Sequence, residues 1–341
     1  MRAAAPICLF LAGLAILIAV HPYGVPPMDD TYIHLTYGRS IVQGEFMRYS
    51  HGAAPSSGTT SPLWTLLASV AATSGSAAPR VIMLMGAGAA ALALLVASRR
   101  RWTVPLLLTG PFLFHSSSGM ETGLAVLIVV VTHNYFDKLY DSTSGTAGAG
   151  IVLGVAILVR PEMAVLALPL ALAARAGRRG GASLAPLLLP AIVAGSLWAS
   201  WNLYSTGRPL PAPFYAKAAL ALAGSGGSVD IVGLLKGLAL SSPLMLALLP
   251  LSALHRERRL RPHILATGLL LLAALLTQPN AYFQMRYYVP FLASAAISLA
   301  VWTGIVPASA GASGSRGLRA AIPAVCALLA LPGIALFAQR R

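Results

Sequence analysis

Apolar residues in this chain come in long unbroken runs rather than in the alternation of a half-buried strand. The runs lie at roughly 6–21, 62–74, 79–98, 102–115, 119–136, 147–159, 163–174, 183–204, 231–254, 263–277, 287–305 and 320–338. Each reads as a helix, and a helix needs roughly 20 apolar residues to cross a bilayer. The pattern predicts an all-α protein, a polytopic transmembrane bundle of about 11–12 spans forming a single integral membrane domain over residues 1–341. Runs shorter than a span borrow flanking residues or are partial helices sheltered by neighbours. The first run follows Arg2 and resembles a signal peptide, but no small-x-small cleavage pattern precedes His21, so it reads as an uncleaved span.

The main polar interruption is residues 22–61, the expected first extracytoplasmic loop. Asp29 and Asp30 stand together there. Ile33, Tyr37 and Ile41 follow at helical spacing, then a Gly/Ser/Pro-rich stretch, and Ser61-Pro62 opens the next apolar run. Either aspartate can cap the helix that starts near Thr31. One acid suffices for a cap. The other is then free to act as a general base, with its neighbour positioning it or binding a metal.

Composition confirms the membrane reading. The 341 residues are 57% hydrophobic and 10% charged, with a mean hydropathy of +0.76, against roughly 25% charged in soluble domains. The net charge of +15 does not point to nucleic acid. Its excess is arginine in short clusters between apolar runs, which the positive-inside bias places in the cytoplasm. The clusters are Arg99–Arg101, Arg175 with Arg178-Arg179, Arg256 to Arg261, and Arg316 with Arg319. One conflict arises: full crossings at both 62–74 and 79–98 would put Arg99–Arg101 outside. Cys8 and Cys326 fall inside expected spans and suggest neither a disulfide nor a zinc site. The seven histidines show no metal-ligand spacing.

Nine carboxylates make each one informative. On this topology Asp29, Asp30, Glu45, Glu121, Glu162 and Asp230 are outside, with Arg39, Arg48, Arg160, Arg208, Lys217 and Arg286. Asp137, Asp141 and Glu257 are inside. Charges at span ends point to a site: carboxylates for proton transfer and cations for a phosphate. Structural readings stand beside this one. Ser118 and Glu121 form a capping-box pattern. Pro161 suits a first helical position, with Arg160 and Glu162 neutralising each other. Phe214, Tyr215, Tyr287 and Tyr288 suit a membrane interface. His34, His51 and His115 read as polar loop or helix-face residues.

Several short elements, taken in order, resemble a known family. They are Asp29-Asp30-Thr31-Tyr32-Ile33, Thr59-Thr60-Ser61-Pro62-Leu63-Trp64, Ser118-Gly119-Met120-Glu121-Thr122, Arg160-Pro161-Glu162, Pro209-Leu210-Pro211 to Phe214-Tyr215-Ala216-Lys217, and Arg286-Tyr287. They cover about residues 28–290. Together they resemble membrane glycosyltransferases of the GT-C fold that use polyprenyl-phosphate sugars, in an arabinofuranosyltransferase-like or mannosyltransferase-like branch. The resemblance implies a bacterial inner-membrane, multi-pass enzyme with an extracytoplasmic active site. Asp29 or Asp30 would deprotonate an acceptor hydroxyl on a glycan or lipid. Tyr32, Arg39, Ser61, Glu121, Arg160, Glu162, Tyr215, Lys217, Arg286 and Tyr287 would bind substrate. The resemblance fixes no cofactor, and a divalent metal is left open. There are departures. The arabinofuranosyl enzymes carry a soluble domain after their last span, whereas this sequence ends at Arg341 after an apolar run. His34 stands where a small or acidic residue is expected. Neither sugar nor acceptor is thereby fixed. The competing readings are a transporter or flippase of lipid-linked sugars and a non-catalytic membrane subunit.

Overall fold

Residue preferences at the helix ends explain most of the boundaries. The computed structural model describes residues 26, 28–100, 103, 107, 109–142, 144–176, 183–216, 257–277 and 286–309, the last with side chains as far as Trp302. The expected spans at 6–21, 231–254 and 320–338, both cysteines and Lys217 lie outside these residues. The described part is all-helical, with no strand among the described residues.

Helix α1, Asp29–Val42, carries both aspartates in its first turn, where the positive end of the helix dipole favours negative charge. The expected side-chain cap does not form, because Met28 is the N-cap and Asp29 Oδ1 instead accepts from the Asp30 amide at 2.9 Å. Helix α2, Pro62–Ala72, starts on its proline, whose missing N–H costs nothing there. A 3-10 turn, Gly75–Ala77, leads into α3, Ala78–Ala97. Thr109 caps α4, Gly110–Ser116, accepting from the Phe112 amide at 3.3 Å. Then come α5, Thr122–Asp141, and α6, Thr146–Val159. A 3-10 turn, Pro161–Leu166, opens on its proline as expected and runs into α7, Ala167–Ala176. Next are α8, Ala185–Thr206, and α9, Arg261–Thr277. The 3-10 turn Arg286–Tyr288 enters α10, Val289–Ser309.

Among the described residues two stretches, Gly75–Ala97 and Ala185–Thr206, are long and apolar enough to cross a membrane. On α8, Leu189, Ile192, Val193 and Leu197 are exposed, an apolar face that suits lipid better than water. Both features support membrane association.

Small residues bring the helices together. A Cβ on Gly123 of α5 would strike the Gly86 carbonyl oxygen of α3, and one on Gly150 of α6 would strike the Pro186 carbonyl oxygen of α8. Gly38 of α1 would place its Cβ 2.7 Å from the Ala68 carbonyl of α2. Close backbone approach at small residues is how apolar helices gain contact without a solvent-driven force. Helix α5 lies at the centre. Its Ala125, Val126 and Val129 are fully buried in the main apolar cluster, while Leu35, Trp64, Ala68 and Ile82 form a smaller one beneath α1 and α2.

Helices α3 and α5 run the same way. Gly86, midway along α3, meets Gly123 at the start of α5, and Arg100, just past α3, donates to the His133 carbonyl at 3.0 Å and to Asn134 at 2.9 Å. Helix α2 has 11 residues, about 16 Å at 1.5 Å per residue, too short to cross. Along α3 the chain runs from beside the Glu121 end of α5 toward its Asp137 end. Arg100 pairs there with Asp137, which Arg259 also contacts.

Substitution of the packing glycine provides a test. Gly123→Ala should destabilise the protein by about 1–3 kcal/mol, through overpacking against α3. Gly88→Ala, whose Cβ meets nothing within 4 Å, should be neutral or stabilising by up to about 1 kcal/mol. Thermal unfolding in detergent reads both, and equal melting temperatures for the two variants would refute the contact.

Candidate functional site

At the Glu121 end of α5, four separate stretches converge: the first turn of α1, the turn before α5, residues 160–162, and the 3-10 turn at 286–288. Glycine shapes the second of them. Gly119 has φ +79°, a left-handed conformation that side chains disfavour. Its turn presents two carbonyls to the first loop. Thr31 Oγ1 donates to the Ser118 carbonyl at 2.9 Å, and Trp64 Nε1 donates to the Gly119 carbonyl at 3.0 Å. A Cβ at 119 would lie 2.6 Å from Thr31 Cγ2. The turn thus fixes α1 and α2 against α5.

Glu121 occupies the N-cap position of α5 without capping it. The expected capping box is absent, because Ser118 Oγ donates to the His115 carbonyl at 3.0 Å and the Glu121 carboxylate turns to arginine instead. Arg286 bridges two acids, with Nη1 2.5 Å from Asp30 Oδ2 and Nη2 3.2 Å from Glu121 Oε1. Arg160 Nη2 lies 2.7 Å from the same Glu121 oxygen, an ion pair outside hydrogen-bonding direction, and its Nη1 is 3.5 Å from Glu162 Oε1. Tyr287 lies between the two guanidinium groups, at 5.1 Å from Arg160 and 5.3 Å from Arg286. Such contacts favour the cations.

Glu121, Arg160 and Arg286 are buried, whereas the Asp30 side chain is 43% exposed. The cluster therefore opens at Asp30. Burial pushes the Glu121 carboxyl up, but Arg286 and then Arg160 outweigh burial and hold it well below the usual carboxylate range. Burial likewise works against the Arg286 charge, and Glu121 chiefly, with Tyr287 and Asp30, reverses that and raises it. Arg286 Nε and Arg160 Nε and Nη2 are buried without a hydrogen-bond acceptor among the described residues, as is Glu121 Oε2 without a donor. Each such group costs about 1–3 kcal/mol unless water or a ligand meets it.

His34 belongs to the site although its sequence context suggested a plain helix-face residue. Its Nδ1 lies 2.9 Å from Thr65 Oγ1 and 3.3 Å from Thr59 Oγ1, and its Nε2 lies 3.9 Å from Glu121 Oε2. Burial pushes its pKa down to about 4, so the ring is neutral near pH 7. A signal was available: His34 falls four residues after Asp30, on the same helical face. Burial on α1 follows Thr31, His34, Leu35 and Gly38 rather than the apolar Ile33 and Ile41, because Thr31 and His34 find polar partners.

The structure thus brings Asp30, Glu121, Arg160, Glu162, Arg286 and Tyr287 together. Asp29, Tyr32 and Arg39 face outward instead. Ser61 is buried behind His34, its amide donating to Thr59 Oγ1 at 3.1 Å. Tyr215 packs under Arg208 at 5.0 Å and receives the Leu210 amide. Its segment ties to the first loop through the Ala212 amide and the Ser57 carbonyl, at 3.0 Å. Among the described residues no three His, Cys, Asp or Glu side chains are arranged to hold a metal. No family model, curated protein or solved structure matches this chain.

The buried ring gives a pH prediction. The unfolded chain binds a proton at His34 near pH 6.5, which the folded chain refuses until about pH 4. Stability from this group is therefore lost as pH falls from 6.5 toward 4, by roughly 3 kcal/mol for a shift of that size. His34→Gln should flatten the melting temperature across this window relative to wild type. Parallel curves for the two proteins would contradict the burial.

Proposed function

We propose that this protein is a multi-pass membrane glycosyltransferase of the GT-C type in a bacterial inner membrane. It moves a sugar from a polyprenyl-phosphate donor to an extracytoplasmic glycan or lipid acceptor. The observation that carries this reading is the convergence, from four distant stretches, of an accessible carboxylate and two arginines with unpartnered buried nitrogens. The family elements quoted above supply the reaction class.

In this reading Asp30, rather than the outward-facing Asp29, is the general base. It takes the proton of an acceptor hydroxyl. That oxygen forms a bond to the anomeric carbon of the donor sugar. The bond between that carbon and the phosphate oxygen breaks, and polyprenyl phosphate leaves with the electron pair. Negative charge grows on the leaving phosphate, and the unpartnered donors of Arg160 and Arg286 are suited to meet it. Glu121, ionised and buried, holds both arginines in register. Glu162 contacts Arg160 from the half-buried side. The apolar flank of the bundle, typified by the exposed face of α8, would accommodate the lipid tail.

Transfer from a panel of radiolabelled polyprenyl-phosphate sugars, read as released polyprenyl phosphate, tests this. Asp30→Asn should lower turnover by about 10²–10⁴-fold with donor binding retained, while Asp29→Asn should keep most activity. Arg160→Met should weaken donor binding. Full activity in Asp30→Asn would eliminate the assigned base. Movement of the lipid across a vesicle membrane without any transfer would favour the transporter reading instead.

A further inference from the structure

A second polar cluster lies toward the other end of α5, and the reaction proposed above does not use it. His133 from α5, His263 and Thr267 from α9, and Ser294 and Ser298 from α10 meet there, none more than 1% exposed. Their polar atoms form a single file. Asp137 Oδ1 is 3.5 Å from His263 Nε2, and the two Nδ1 atoms of His263 and His133 face each other at 2.7 Å. His133 Nε2 is 2.8 Å from Ser294 Oγ, which is 2.8 Å from Thr267 Oγ1, itself 2.9 Å from Ser298 Oγ. Phe136 packs against both imidazoles, with ring centroids at 4.9 and 5.2 Å. The file meets solvent at Asp137, whose side chain is 25% exposed.

Aliphatic side chains would fill this volume without the cost of burying two imidazoles. Ionisable groups enclosed among apolar helices are costly and mark function by default. Hydrogen counting then gives the file a direction. Asp137 pairs with Arg100 at 2.6 Å and Arg259 at 3.0 Å, so it is a carboxylate and accepts only. His263 Nε2 therefore carries a hydrogen toward it. A neutral His263 then has a bare Nδ1, which accepts from His133 Nδ1–H. His133 Nε2 is bare in turn and accepts from Ser294 Oγ–H. Every ring hydrogen points toward Asp137.

We infer that Ser294, His133, His263 and Asp137 form a proton-transfer file between the bundle interior and the arginine-rich end of α5. A hydronium ion reaching Ser294 gives one proton to its oxygen and is left as water. The Ser294 hydrogen passes to His133 Nε2, the His133 Nδ1 hydrogen to His263 Nδ1, and the His263 Nε2 hydrogen to Asp137, which releases it to solvent. One proton enters and one leaves, no charge is stored, and both rings are left in the opposite tautomer, from which they turn over before the next transfer. The Asp137–His263 link, an ion-pair contact rather than a formed hydrogen bond, closes with a movement of about 0.7 Å. The charged groups described at this end are Arg100 after α3, Asp137, Lys138 and Asp141 on α5, and Glu257, Arg258, Arg259 and Arg261 at the start of α9. The described side chains of α10 contribute only hydroxyls. Arg100 and Arg259 oppose a proton resting on the histidines, so the pair passes it on.

The purified full-length chain labelled with ¹⁵N-histidine and moved into D₂O tests this by NMR, independently of any sugar substrate. A shared hydrogen should couple the two Nδ1 nitrogens. The ring hydrogen of His133 should exchange at least tenfold faster than the α5 backbone amides around it. Asp137→Asn should slow that exchange at least tenfold with those amides unchanged. If that variant does not fold, His263→Gln replaces it, with the same slowing expected at His133. Exchange of the His133 hydrogen in step with its backbone amides, or at wild-type rate in the variant that folds, would overturn the file and leave a structural pair.

Discussion

Arg286 holding Asp30 and Glu121 at once is the constraint around which the rest of the described structure is arranged. The partners lie 256 and 165 residues away in the chain. Removing such charges from water costs several kcal/mol each, repaid only when the geometry is complete. The set therefore specifies where α1, the start of α5, residues 160–162 and the start of α10 must lie relative to one another. Gly119 and the Thr31 and Trp64 hydrogen bonds settle the first of these distances. Pro161 orients the segment that carries Arg160 by starting a new helical turn directly after it. A cluster with two guanidinium groups and three carboxylates retains one net negative charge. Neither its charge nor its hydrogen-bonding capacity closes internally.

Much of this was legible in the chain. Helical runs read from hydropathy match α2, α3, α5, α6, α8, α9 and α10 within a few residues. The scarcity of carboxylates singled out Asp30, Glu121 and Glu162, and the cations Arg160 and Arg286 followed from their places at span ends. Residues whose role depends on a partner far along the chain were less visible. His34 read as a plain polar loop or helix-face residue because Thr65 and Glu121 are not its neighbours in sequence. The Ser118–Glu121 capping box failed for the converse reason. A local pattern was present, but two arginines compete for the carboxylate more strongly than one amide can. Asp29, Tyr32 and Arg39 share a helix with Asp30, and only the register of α1 against α2 and α5 decides which of them faces inward.

Helix α5 separates two kinds of polar chemistry. Glu121 and Asp137 are sixteen residues apart on it, about 24 Å along the axis. At one end, charges are buried in an opposed set that cannot rearrange cheaply. At the other, Asp137 shares Arg100 and Arg259 near solvent while neutral imidazoles and hydroxyls extend inward. Between them Val126, Val129 and Val130 present only hydrocarbon among the buried residues. That partition keeps the ion pairs of one end from stabilising charge in the other.

The distance in sequence between Arg286 and its partners has a consequence for biosynthesis. Translation delivers Asp30, Glu121, Arg160 and Glu162 well before Arg286. Until then three acids share one guanidinium, and enclosing them away from water is unfavourable. The nascent chain must therefore keep this corner hydrated while the intervening helices are made, and Arg286, the last cation of the set to emerge from the ribosome, closes it.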